Sequence, residues 1–199
     1  MKKIIIPLLA FVVLVAVVTV GASFYMLNFS LSPDPNRTDL DSAYTRLYQR
    51  MPDMKPWADS MQSHGLLRDT FLNMPSGERH HALYFRSDSA HGRTAVLVHG
   101  YKDCAVKFLY LGRMYHRDLG YNVVMPDLHA HGLSEGDAIG MGWNDRLDVK
   151  RWTEMAAQTF VDSTHAPNIV VHGVSMGAAT TMCLSGEELP AYVTHFVDD

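Results

Sequence analysis

The hydrophobic pattern begins with an almost unbroken apolar run, from Ile4 to about Leu27, which Lys2 and Lys3 precede. About 20 apolar residues are enough for a helix that crosses the core of a bilayer. The run has no polar face, so a helix buried in a soluble core is disfavoured. Lysines at the N-terminus favour the cytoplasmic side, which would place the rest of the chain outside the cytoplasmic membrane.

A signal sequence is the alternative interpretation of this run. Its apolar part would be shorter, roughly 7 to 15 residues, and would end at a small-residue cleavage site. Residues 20–22, Val-Gly-Ala, fit such a site. The length favours an uncleaved single-pass anchor with an extracytoplasmic domain, and secretion after cleavage is the alternative.

The segment that follows the apolar run is polar and rich in proline. A linker leads to helical spacing from about Asp39 to Arg50, and the prolines of residues 51–65 predict no regular element there. We therefore divide the chain into an anchor or signal sequence (1–29), a linker with a helical segment (30–65) and a folded domain (66–199).

Strand and helix patterns alternate from residue 66 onward. Two alternating stretches, 66–74 and 79–87, surround Pro-Ser-Gly and predict a β-hairpin. Continuous apolar runs at 94–100, 121–127, 168–173 and 192–199 predict strands that are covered on both faces. Helical spacing lies between them at 106–120, 144–160 and 176–186. This order predicts an α/β fold with a mostly parallel sheet, helices on both faces and the hairpin as an antiparallel edge.

Composition excludes some classes of partner. The chain has 199 residues and a formal net charge of −4, so it carries no basic field that would attract nucleic acid. Cys104 and Cys183 match no metal-ligand spacing. Free thiols are favoured for this pair, and a disulfide stays open.

The sequence Gly173-Val174-Ser175-Met176-Gly177 is a G-x-S-x-G between a predicted strand and a predicted helix. A serine at such a tight turn presents its hydroxyl at the carboxyl edge of the sheet, and only glycines fit beside it. The N-terminus of the following helix points at the same place. The pattern predicts that Ser175 is a nucleophile; a glycine-rich turn without catalysis is the alternative.

A second loop, His99-Gly100-Tyr101, follows the first buried strand. In this setting the residue after His-Gly donates its backbone N–H to an oxyanion, together with the residue after the nucleophile. We therefore expect the Tyr101 and Met176 amides to stabilise a tetrahedral intermediate. The His99 side chain is expected to organise the loop and not to transfer protons.

The third loop, residues 126–136, follows the next buried strand. We expect Asp127 to bind loop amides. A metal site formed by Asp127, His129 and His131 is an alternative that we set aside in favour of this structural role. The sequence therefore predicts no metal and no organic cofactor.

These three loops, in this order, resemble the α/β-hydrolase superfamily, and within it the serine aminopeptidase S33 and monoglyceride-lipase-like group. That group carries H-G, then D-x-R-G-H-G-x-S, then G-x-S-x-G after successive strands. Residues 99–100, 127–134 and 173–177 match these motifs, except that His129 and Ala130 stand where Arg and Gly are usual. The resemblance covers roughly residues 66–199 and implies a partial α/β-hydrolase domain.

The resemblance also implies where the partners of Ser175 lie. In the family the acid and then the histidine follow the nucleophile along the chain, usually after the seventh and eighth strands. If residues 192–199 form the sixth strand, both positions lie beyond Asp199. We expect a chain truncated after about the sixth strand, representing the N-terminal part of a larger enzyme.

The function that these patterns predict is that of a membrane-anchored serine hydrolase, similar to esterases, lipases or peptidases. Ser175 would attack an ester or amide carbonyl of a small molecule or peptide. A non-catalytic fragment or pseudoenzyme that binds a ligand or partner is the main alternative. An acyltransferase or thioesterase on the same fold is a third.

Overall fold

A computed structural model describes the protein from Lys2 to Asp199 and divides it after Ser32 into two compact units. The first unit contains one helix, α1 (Lys2–Leu31), whose 30 residues correspond to a length of about 45 Å. Its side chains from Ile4 onward are almost all exposed. The stretch Ile4–Leu31 is long and apolar enough to cross a membrane, a test that a signal sequence near an N-terminus also passes.

The second unit starts with two short helices, α2 (Leu40–Arg50) and α3 (Met54–Ser63). Asp39 caps α2 by accepting a hydrogen bond from the Ser42 N–H at 3.0 Å. The expectation of no regular element in 51–65 is wrong, because α3 forms there. Pro56 lies in the first turn of α3, where a helix loses no internal hydrogen bond to proline.

Six strands form one sheet in the spatial order β1-β2-β4-β3-β5-β6. Their bounds are β1 (Arg68–Asn73), β2 (Arg79–Phe85), β3 (Arg93–Val98), β4 (Asn122–Pro126), β5 (Asn168–Gly173) and β6 (Val193–Asp198). β1 and β2 form the predicted hairpin, and β2 also pairs antiparallel with β4. The remaining pairings are parallel, so the predicted mixed order is confirmed.

The helices between the parallel strands are α4 (Leu109–Arg113), α5 (Asp145–Thr159) and α6 (Met176–Ser185). The prediction of one helix over 106–120 is wrong in detail. A 3-10 turn (Ala105–Phe108) precedes α4 and a π-helical turn (Met114–Asp118) follows it. A 3-10 turn is tighter than an α-helix and a π-helical turn is wider. Together they nearly preserve the average rotation per residue, so the apolar spacing of residues 106–120 resembles that of one continuous α-helix.

Two apolar layers enclose the sheet. On one face, α2, α3 and the segment 104–115 pack on Leu83, Phe85, Leu97, Val123 and Met125. On the other, α5 and α6 pack on Ala82, Val96, Val98, Val124 and Val171. Neighbouring residues of each strand enter opposite layers, which explains why the central strands read as continuous apolar runs.

Within the described residues, β6 is the outermost strand beside β5 and is only half covered. Val193 and Phe196 are partly buried, whereas Val197 is exposed. His195 is exposed too. The carboxyl end of β6 nevertheless reaches the turn after β5, as described below.

We expect Trp152→Ala to lower the free energy of unfolding by about 3 to 5 kcal/mol. Trp152 is on α5 and is only 1% exposed, in the apolar layer between this helix and the sheet. Trp143 is the matched control: it is 62% exposed and its ring contacts Arg146, so Trp143→Ala should cost under about 1 kcal/mol. Urea unfolding of the full chain in detergent micelles, followed by circular dichroism, measures both. Equal losses would contradict the assignment of Trp152 to the core.

Candidate active site

Ser175 lies between the end of β5 and the start of α6 in a strained backbone conformation. Its φ of 58° and ψ of −116° fall in a sparsely populated region for a residue with a side chain. The residue is exposed. A Cβ at Gly177 would lie 2.0 Å from the Val98 carbonyl oxygen, and one at Gly173 would lie 2.1 Å from the Gly177 carbonyl oxygen. Only glycine fits at either position, so the two glycines and the close backbone contacts determine the conformation of the turn that holds Ser175.

The loop after β3 lies directly beside this turn. Val98 pairs with Gly173, so β3 and β5 end at the same level, and the Val174 N–H donates to the Val98 carbonyl at 3.1 Å. A Cβ at Gly100 would lie 3.4 Å from Ser175 Cβ. The chain after Gly100 therefore passes next to the serine.

Two backbone amides are candidates for the oxyanion site, one after the serine and one in the neighbouring loop. Met176 is the first residue of α6, where a helix leaves its N–H groups without partners inside the helix. Tyr101 follows Gly100 in the neighbouring loop. This arrangement suits the stabilisation of a negatively charged oxygen, and the oxyanion role of both amides stays a prediction.

His99 is fully buried beneath this loop. Its Nε2 accepts a hydrogen bond from the Leu128 N–H at 3.0 Å, and its Nδ1 lies 2.8 Å from the Gly100 carbonyl oxygen. The first bond requires a lone pair on Nε2, so the proton is on Nδ1 and is donated to Gly100. Both nitrogens are occupied by the loops, which leaves none for proton transfer at Ser175.

His131 supports the other side of Tyr101. Its Nε2 accepts from the Lys102 N–H at 3.0 Å, and its Nδ1 lies 2.8 Å from the His129 carbonyl oxygen. Burial, and then the nearby His99, lowers the pKa of His131 to about 3, so the ring is neutral at pH 7. His99 and His131 together fix the backbone on both sides of Tyr101.

Asp127 holds the loop after β4 from inside. Its Oδ1 accepts from the Ala105 N–H at 2.7 Å, and its Oδ2 accepts from the Leu133 N–H at 3.0 Å and faces His81 Nδ1 at 2.7 Å. Burial opposes its charge, but the hydrogen bond and charge of His81, followed by His99 and the Ala105 amide, hold the pKa of Asp127 below its ordinary value. The carboxylate stays ionised and binds several segments at once.

A metal site of Asp127, His129 and His131 does not form. Both oxygens of Asp127 and both nitrogens of His131 are engaged by the protein, and His129 contacts Glu78 instead. The three residues are close in sequence, but their ligand atoms do not converge.

Two residues of this network were not found from the sequence. His81 lies on β2, where the alternating pattern predicted a strand but not a contact with Asp127. Arg37 lies in the segment before α2 and donates to the carbonyl oxygens of Gly132 and Ser134. Arg37 therefore brings a guanidinium to the loop after β4.

The end of β6 is joined to the turn of the serine. The Ser175 N–H donates to the Asp199 carbonyl at 2.8 Å, and the Asp199 N–H donates to the Gly173 carbonyl at 3.0 Å. These are backbone contacts. Within residues 2–199, no histidine nitrogen forms a hydrogen bond with the Ser175 hydroxyl; His172, for example, lies on β5 but contacts the Tyr115 hydroxyl at 3.0 Å.

A pocket of about 420 Å³ borders the Tyr101 side of the loop. Its volume lies in the range of small-molecule sites. It is lined by Tyr101, Lys102 and Tyr110 together with Arg46, Arg50 and Met51. The α2 region thus contributes part of the surface around the candidate site.

Comparison with known proteins gives structural matches only. No protein-family model matches the sequence, and no curated protein matches it. An esterase from Pyrococcus furiosus is similar in structure, with a TM-score of 0.56 and 22% identity over 70% of this chain and 51% of the esterase.

Two further structures agree with this match. A thermostable carboxyl esterase from Bacillus coagulans, solved with glycerol, has a TM-score of 0.54 and 14% identity over 66% of this chain and 43% of its own. An α/β hydrolase from Novosphingobium aromaticivorans has a TM-score of 0.50 and 19% identity, over 65% and 42%. This chain spans about half the length of the first of these proteins. Its fold is that of the α/β hydrolases.

Proposed function

We propose that this chain carries the nucleophile and oxyanion loops of a serine hydrolase. The observation that supports it most is Ser175, exposed in a strained turn between the Gly100–Tyr101 loop and the N-terminus of α6. Strained backbone of this kind costs on the order of 1 to 3 kcal/mol and persists where function requires it. A turn without catalytic use would be under no such requirement.

In the proposed reaction, Ser175 Oγ attacks a carbonyl carbon and its proton passes to a general base. The carbonyl oxygen becomes negatively charged and accepts hydrogen bonds from the Tyr101 and Met176 amides. Collapse of this intermediate expels the alcohol or amine and leaves an acyl-serine, which water hydrolyses. We expect the base and its acid outside residues 2–199, because no histidine nitrogen within this range forms a hydrogen bond with the Ser175 hydroxyl.

The substrate class is proposed from the similar structures and from the loop motifs. Two of the similar structures are named as esterases, which favours an ester over an amide for this chain. The three loop motifs support the narrower assignment to the S33 and monoglyceride-lipase-like group. In this chain, His129 stands where that group usually carries an arginine. Arg37 instead brings a guanidinium to the same loop.

We also propose that α1 anchors the protein. Its length exceeds the roughly 30 Å of a bilayer core, and Lys2 and Lys3 favour a cytoplasmic N-terminus. The hydrolase unit would then lie on the extracytoplasmic side of the membrane.

A ligand-binding protein without catalysis is the second candidate. It is favoured by one observation: within the described chain, the Ser175 hydroxyl has no histidine partner. Removal of a member of the triad leaves a residual rate enhancement of about 10³ to 10⁴, so the two candidates are separable by a sensitive assay.

We predict that a fluorophosphonate probe modifies Ser175 in the full chain in detergent micelles, and that imidazole in solution raises the rate by acting as a general base. Mass spectrometry of the peptides identifies the labelled residue. Ser175→Ala should abolish labelling. Ser185→Ala should not, since Ser185 lies at the far end of α6, where its hydroxyl contacts Met182. Folded protein that stays unlabelled even with imidazole would support the binding alternative.

We predict that Gly100→Ala lowers the rate of this labelling at least tenfold without unfolding the protein. The added methyl would lie 3.8 Å from Ser175 Oγ and 3.4 Å from its nearest neighbours, so it fits but occupies the approach of a substrate carbonyl. Gly186→Ala is the matched control, because its added methyl would meet nothing closer than 3.6 Å. Wild-type labelling by Gly100→Ala would contradict the placement of the oxyanion site.

We predict that the mature protein keeps residues 1–29 and stays in the membrane fraction after an alkaline wash. The intact mass of a C-terminally tagged chain measures this directly. Lysines in place of Leu14 and Val15 should weaken retention, because each costs about 2.5 to 3.5 kcal/mol at a helix centre. Asn36→Lys, in the linker, should not. A soluble product that begins near Ser23 would show cleavage of a signal sequence instead.

A further inference from the structure

A cluster of metal-ligand side chains lies outside the candidate active site. Glu78 is in the turn before β2, His80 is the second residue of β2, and His129 is in the loop after β4. One ligand atom from each lies within 4.8 Å of the other two. The three residues come from two separate parts of the chain, so this convergence is a product of the fold.

His80 is the unusual member of the cluster. It is fully buried, and neither of its ring nitrogens has a hydrogen-bond partner within residues 2–199. A buried polar group without a partner costs roughly 1 to 3 kcal/mol, and such groups in native proteins often mark a site for an ion or water. The Nε2 of this ring lies 3.6 Å from Glu78 Oε2, so it is directed into the cluster.

The separations of the ligand atoms suit a small divalent cation. Glu78 Oε2 lies 2.9 Å from His129 Nδ1 and 3.6 Å from His80 Nε2. A four-coordinate zinc ion with ligands at about 2.0 to 2.2 Å holds neighbouring ligand atoms roughly 3.3 Å apart. In the third pair, one nitrogen from each histidine lies within 4.8 Å of the other, so the side chains would have to close in around the ion. Two imidazoles and one carboxylate are a ligand set that zinc accepts, with a fourth position for water.

Asp148 adds a feature that metal-binding histidines commonly have. Its Oδ2, on α5, lies 3.5 Å from His80 Nδ1, the nitrogen that faces away from Glu78. A carboxylate that accepts the second ring N–H fixes the tautomer, so that the other nitrogen has a lone pair for the metal. In the proposed site, a hydrogen bond to Asp148 and a bond to the ion would give each nitrogen of His80 a partner.

We propose that Glu78, His80 Nε2 and His129 Nδ1 bind one divalent cation of the zinc type, with Asp148 orienting His80. The site joins the β1–β2 turn and β2 to the loop that contains Asp127 and His131. The sequence predicted no metal; it considered His129 but with Asp127 and His131 as partners. The cation stabilises the loop from the side opposite the Asp127 network and takes no part in the proposed attack by Ser175.

The test is titration of the full chain, stripped with a chelator and held in detergent micelles, with Zn²⁺ by calorimetry and with Co²⁺ by visible absorption. We expect one equivalent to bind, with the intense absorption of four-coordinate Co²⁺, and Zn²⁺ to raise the Tm. Glu78→Gln and His129→Gln should lose binding. Both side chains are partly exposed, at 32% and 21%, so these variants are expected to fold, unlike changes at buried His80.

Control variants separate this site from general binding by exposed side chains. His165→Gln removes an exposed histidine that faces Asp162 at 2.9 Å, and Ser175→Ala removes the candidate nucleophile; both should bind as the wild type does. Asp148→Asn should weaken binding roughly 10- to 100-fold. The proposal is overturned if the wild type binds no equivalent, or if His129→Gln with a native circular dichroism spectrum binds as tightly as the wild type.

Discussion

The buried carboxylate of Asp127 is the interaction on which the candidate site depends. An ionised group inside a protein is tolerated only when hydrogen bonds and opposite charge replace the water that it loses. Here those partners belong to three places: β2 through His81, the 3-10 turn through Ala105, and its own loop through Leu133. Removal of this carboxylate would release all three at once, and would leave buried N–H groups without acceptors.

The serine turn rests on backbone contacts of a different kind. The close approach of Gly177 to the Val98 carbonyl and of Gly173 to Gly177 leaves no room for side chains, and the packing of β3 against β5 fixes this geometry. Both ring nitrogens of His99 and of His131 bind backbone groups of the loops beside the serine. The candidate site is therefore assembled from buried imidazoles, close backbone contacts and the Asp127 carboxylate.

Local pattern predicted the sheet, the hairpin and the serine turn, because strand alternation and glycine spacing are properties of neighbouring residues. It failed for α3, where the prolines of residues 51–65 predicted no regular element. Pro56 lies in the first turn of this helix, where proline is tolerated. It could not find His81, which meets Asp127 across 46 positions of the chain, or Arg37, which meets Gly132 across 95. The cluster of Glu78, His80 and His129 was not predicted either, because a contact between a hairpin and a distant loop leaves no short spacing in the sequence.

The hydrogen bond from the Ser175 N–H to the Asp199 carbonyl joins the nucleophile turn to β6. A backbone amide exchanges its proton with solvent when the local structure that protects it opens. Each opening of β6 would free the Ser175 amide and expose it to solvent exchange. The amide proton of the nucleophile thus exchanges at a rate set by the docking of β6, and the order of the turn is coupled to the order of that strand.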